Sequence, residues 1–160
     1  MDSPPKKIPD DKAMPEYQMF PVGIWHMLAT VMLMVFCIAI TLMSVSELVS
    51  SWLSERTLIY LEFAFLAVMM FVLATPTFLL SRGWSLCHRF LIWHNRFYIL
   101  LLVVASGMLF VDGHTGMALT GLVGLILAVF ASVIYCSRPY LEGVEHYRLI
   151  WAHHRSNKHG

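Results

Sequence analysis

Charge is scarce in this chain. Asp, Glu, Lys and Arg make up 13% of its 160 residues and apolar residues 58%, whereas about a quarter of a soluble domain is charged. A soluble globular domain is excluded on that balance. A basic excess is lacking too: 11 Lys and Arg stand against 10 Asp and Glu. No cationic surface exists of the kind that displaces counterions from phosphates, and no nucleic-acid partner is expected. Cysteine is sparse, with Cys37 inside an apolar run and Cys87 and Cys136 near the ends of others, and no CxxC occurs. That excludes a disulfide framework or a dithiol redox centre. The chain also has no GxSxG, no HExxH, no phosphate-binding glycine loop and no pair of carboxylates within one apolar run. An enzyme is not expected.

What the chain has is four long apolar runs. A membrane crossing needs roughly 20 such residues, because hydrocarbon cannot solvate unpaired backbone groups. The runs at 22–43, 58–80, 91–111 and 116–136 qualify. They predict an all-α, polytopic membrane protein with a transmembrane domain over 22–136, its four helices in an antiparallel bundle. The first run is too long for a secretory signal and no small-x-small cleavage site follows it, so it is expected to stay in the chain. Residues 1–21, with Pro4, Pro5, Pro9 and Pro15 among Lys and Asp, read as a flexible tail.

Orientation follows from the basic residues, since loops on the cytoplasmic side hold the Lys and Arg excess. Lys6, Lys7 and Lys12, then Arg82, Arg89 and Arg96, then Arg138, Arg148, Arg155 and Lys158 fall on one side, and Arg56 alone on the other. Both termini are therefore expected in the cytoplasm, with the chain in a bacterial inner membrane. The last segment, 137–160, is basic and amphipathic. Tyr140, Val144, Tyr147 and Trp151 share one helical face, which suits a helix lying in the lipid headgroups.

Three features point towards function. Gly116, Thr120, Gly124, Ala128 and Ser132 step by four along the last span. Such a small-residue line lets another helix approach closely, either inside the bundle or in a neighbouring membrane protein or a second copy. The tripeptides Ile24-Trp25-His26 and Ile92-Trp93-His94 both enter a span from the cytoplasmic side. A pair of imidazoles there, His26 and His94, matches the axial ligation of a b-type haem. His146, His153, His154 and His159 read instead as a solvated tail. Glu62 is the one carboxylate inside a span, and intramembrane carboxylates mark ion or proton routes. Asp112 and His114 lie at the same level and are expected to join it, or to form an entrance with Glu47 and Glu55.

The leading expectation is a non-enzymatic inner-membrane protein that acts by helix packing with a membrane partner, as an accessory subunit or an immunity-type protein, without a cofactor. One alternative is an electron-transfer subunit with haem b on His26 and His94. Another is an oligomeric proton or cation conductor built on Glu62.

Overall fold

The computed structural model describes residues 23–156, with side chains as far as residue 153. The proline-bearing tail at 1–21 lies outside the described residues. Five helices follow one another: α1 (Ile24–Val49), α2 (Glu55–Ser81), α3 (Leu86–Val111), α4 (Thr115–Tyr135) and α5 (Arg138–Ser156). The described part is helical with no strand. The first four helices are each long and apolar enough to cross a membrane.

The helices outrun the apolar runs that announced them. α1 continues to Val49 and α3 begins at Leu86, because hydropathy marks the hydrocarbon while hydrogen bonding carries a helix on into the headgroups. The connection between α1 and α2 shrinks accordingly to residues 50–54, rather than the fourteen or so between the apolar runs, with Trp52 almost fully exposed in it. Ser54 ends that connection. Its hydroxyl accepts from the Thr57 amide at 3.4 Å, and Glu55 occupies the first turn, which satisfies an orphan N–H and complements the helix dipole. The turns α2–α3 and α3–α4 each contain one left-handed glycine, Gly83 (φ 82°) and Gly113 (φ 83°), a conformation that a Cβ would strain.

α4 packs most extensively, against α3 and α1. Contacts run in opposite sequence order along α3 and α4: Gly121 faces Ser106, Gly124 faces Leu102, and the Ala128 carbonyl accepts from Asn95 Nδ2 at 3.0 Å. The main core cluster draws on all five helices, joining Met34, Ile38, Leu73, Tyr98, Tyr135 and Tyr140 among others. A second, smaller cluster consists of Cys37, Leu102 and Ala128. Outward, the spans present large apolar side chains such as Phe36, Phe63, Phe71, Phe110 and Phe130, each more than half exposed. A water-soluble surface does not carry apolar area on this scale, and lipid tails are the solvent that matches it.

The segment after α4 forms α5, and its aromatic face meets protein where a bed of lipid headgroups was expected. Tyr140 is 2% and Val144 8% exposed, both in the main core cluster. Trp151 Nε1 donates to the Ser81 carbonyl at 3.0 Å, which ties α5 to the last residue of α2. At the crossing of α5 with the start of α1, Gly143 and Gly23 touch backbone to backbone. Burial pushes the Tyr140 and Tyr147 phenols above their ordinary range, so both stay neutral. Outside this contact, Arg148 forks onto Glu145 at 2.7 and 2.5 Å, an exposed pair that also raises the guanidinium's proton affinity.

Candidate functional site

The small residues of α4 divide by position. Gly124 and Ala128 are buried, and a Cβ on Gly124 would stand 2.7 Å from Ile40 Cγ2 and 3.2 Å from Leu102 Cδ2. Gly116 has open space around it, and Thr120 and Ser132 are only half-buried, Thr120 returning its hydroxyl to the Gly116 carbonyl at 3.1 Å. The buried line runs instead through Ala118, Gly121, Gly124, Ala128 and Ala131 to Tyr135. Its spacing mixes steps of three and four, as the 3.6-residue turn requires of a straight contact line, whereas a strict step of four drifts off the face. α1 and α3 occupy this face, so the close approach that the small residues permit is used inside the chain.

The two Ile-Trp-His tripeptides adopt one arrangement. Trp25 and Trp93 project outward, 68% and 69% exposed, while His26 is half-buried and His94 is 9% exposed. Each imidazole has a buried nitrogen without a hydrogen-bonding partner: Nδ1 of His26 and both nitrogens of His94. His94 lies between two aromatic neighbours on its own helix, stacked with Phe90 at 5.9 Å and edge-on to Tyr98 at 4.9 Å between ring centroids. His88, in the first turn of α3, meets Tyr140 at 5.5 Å and Tyr135 at 6.4 Å. His146, read from sequence as a solvated tail residue, is half-buried with Nε2 enclosed. Burial of the α5 face draws it in. Among the described residues no three His, Cys, Asp or Glu side chains converge on a metal position.

Sequence reasoning passed over the polar side chains next to His94. Asn95 is 1% exposed and Tyr98 fully buried; Asn95 Oδ1 and the Tyr98 hydroxyl have no partner, and neither does Oγ of Ser106. The signal was present, since an Asn in an apolar span is expensive unless paired. Asn95 spends its amide on the Ala128 carbonyl, a carbonyl that already serves its own helix. Cys37 makes a similar contact, its thiol donating to the Gly124 carbonyl at 3.6 Å.

Glu62 stands apart from the groups expected to join it. It is half-buried in an apolar groove of about 140 Å³ between α1 and α2, beside Leu42, Val45, Ser46 and Phe65. His114 pairs with a different carboxylate, its Nδ1 lying 3.3 Å from Glu47 Oε1. Asp112 is exposed and caps the end of α3, and Glu55 is exposed at the start of α2. The Glu47–His114 pair thus links the end of α1 to the α3–α4 turn, and neither His114 nor Asp112 reaches the groove that holds Glu62.

No family model matches the chain, and neither does any curated protein or solved structure.

Proposed function

We propose that this chain is a non-enzymatic, four-span inner-membrane protein that works by packing against another membrane protein, with α2 as the contacting helix. The observation that carries this reading is the uneven burial of α2. Its buried residues are Leu73, Pro76 and Leu80, all in the last third of the helix. From Glu55 to Val72, about 27 Å at 1.5 Å per residue, no side chain is buried. That length carries two small exposed residues, Ala64 and Ala67, about 60° apart on the helix, while Glu62 turns to the other side, into the groove against α1. Small residues permit close helix approach. The line on α4 does not support the reading, since α1 and α3 already cover it.

The test is Ala67→Trp, which adds bulk at an exposed position and leaves the core untouched. Copurification of the membrane partner, or self-association if the partner is a second copy, should be lost with folding unchanged. Val133→Trp, on the exposed side of α4, is the control and should keep it. Equal behaviour of the two variants would remove α2 as the interface.

The proposed orientation puts both termini and the α2–α3 turn in the cytoplasm, supported by the ten basic residues on that side against Arg56 on the other. Reporters fused after residue 160 and at Gly83 should both read cytoplasmic, and one at Trp52 external. An external C-terminus would reverse the assignment.

A second reading has one observation behind it. His94 is buried in a span with both ring nitrogens free of partners, so an iron ligand there, with His26 as the other, accounts for one of them. An electron-transfer role with haem b follows from that reading, and its signature is a reducible Soret band in purified protein.

A further inference from the structure

We propose that α3 carries an internal line of bound water that brings protons into the membrane-embedded core, closed in this structure by the packing around Leu102. Four side chains on the inward side of α3 hold five buried polar atoms without a partner: both ring nitrogens of His94, Oδ1 of Asn95, the Tyr98 hydroxyl and Oγ of Ser106. From His94 to Ser106 the line extends about 18 Å along the helix, more than half of a hydrocarbon core of about 30 Å. Protein interiors rarely leave such atoms unsatisfied, and ordered water supplies the partner where the chain does not.

The polar atoms fall into two groups with an apolar plug between them. His94, Asn95 and Tyr98 form the first. The second forms around Gly121, where a Cβ would collide with Ser106 Oγ and reach Ser44 Oγ at 3.6 Å. Glu47, which holds His114, is three residues beyond Ser44 on the same helix. Between the two groups, Cys37, Leu102 and Ala128 pack with no exposed surface. Two groups of unpartnered polar atoms separated by one buried leucine are the parts of a gated proton route.

Water accounts for these atoms better than iron does. An iron bound at His94 satisfies one nitrogen and leaves the second nitrogen, Asn95, Tyr98 and Ser106 as they are. Water both donates and accepts, and can serve all five. The imidazole then acts as a relay: it takes a proton from water at one ring nitrogen and releases one to water from the other. The ring ends neutral with its tautomer exchanged, and rotation of the ring restores it. The Tyr98 hydroxyl and the Asn95 carbonyl oxygen orient the waters on either side.

The experiment uses the purified full chain in proteoliposomes carrying an internal pH-sensitive dye, with a valinomycin-imposed potential. Leu102→Ser should raise the proton leak at least about tenfold over wild type, since it replaces the plug with a hydroxyl, and His94→Phe in that background should return it to the wild-type level. Because Leu102→Ser also opens a cavity, hydroxyl-radical labelling of wild type is the second measurement. Tyr98 has no exposed surface, yet with bound water beside it should oxidise within about tenfold of Tyr60, which is 70% exposed. The proposal is overturned if folded Leu102→Ser does not leak, if the leak survives His94→Phe, or if Tyr98 stays unlabelled. A Soret band that disappears in His94→Phe would also overturn it, by putting iron on this imidazole. None of these readouts involves the α2 interface, so each reading can fail without the other.

Discussion

Gly124→Leu should destabilise the bundle by on the order of 1–3 kcal/mol, the range for forcing extra side-chain volume into a packed interior. Even the first atom of the new side chain would stand 2.7 Å from Ile40 and 3.2 Å from Leu102. Both neighbours are branched side chains well inside their helices, so α1 and α3 must move apart together. Gly116→Leu, on the same helix and in the same nominal stripe, has nothing within reach of its Cβ and should be almost silent. The comparison is read as the detergent concentration at which helicity is lost in an SDS titration. Equal shifts for the two variants would mean that the α4 contact line does not run through Gly121, Gly124 and Ala128.

Gly23→Leu is expected to release α5 from the bundle. A Cβ at this position would lie 2.7 Å from the Cα of Gly143 and 2.9 Å from its nitrogen, and closer still to the Pro139 carbonyl. These are backbone atoms, which cannot turn aside as a side chain can, so the helix must lift as a body. With it go the burial of Tyr140 and Val144 and the hydrogen bond from Trp151 to the Ser81 carbonyl. Tryptic cleavage at Arg148 should accelerate by about tenfold or more, because proteolysis tracks the population of the open form. Trp151→Phe, which removes one hydrogen bond worth about 0.5–1.5 kcal/mol, should produce a smaller increase in the same assay. A Gly23→Leu chain cleaved at the wild-type rate would show that α5 is held by something other than this crossing.

The site was less legible than the fold. His26 and His94 stood out as histidines at the mouths of spans, and their shared Ile-Trp-His setting does place both tryptophans outward and both imidazoles inward. Asn95 and Ser106 were legible in principle, since each is a polar residue in an apolar run, but nothing in the linear chain marks an atom as lacking a partner. Glu62 drew attention for its charge, but neither of the residues assigned to it, Asp112 and His114, lines the groove it occupies. His114 turns to Glu47 instead. Level in the membrane follows from distance along a helix; neighbourhood depends on the angle about the helix axis and on which helices meet there.

The same distinction runs through the whole chain. Composition and run length alone determined that the described residues form four helices able to span a membrane, because the cost of unpaired backbone groups in hydrocarbon leaves a long apolar run little choice but to be helical. The periodicity of Tyr140, Val144, Tyr147 and Trp151 likewise determined that the last segment has an aromatic helical face. Only the tertiary structure decided what that face covers, which small residues of α4 are used, and that the unpaired polar atoms of His94, Asn95, Tyr98 and Ser106 lie on one helix around a buried leucine. Those outcomes depend on how side chains from different helices interlock, and in lipid that packing is set by van der Waals fit and a few hydrogen bonds, with no hydrophobic gradient between helices to announce it in the sequence.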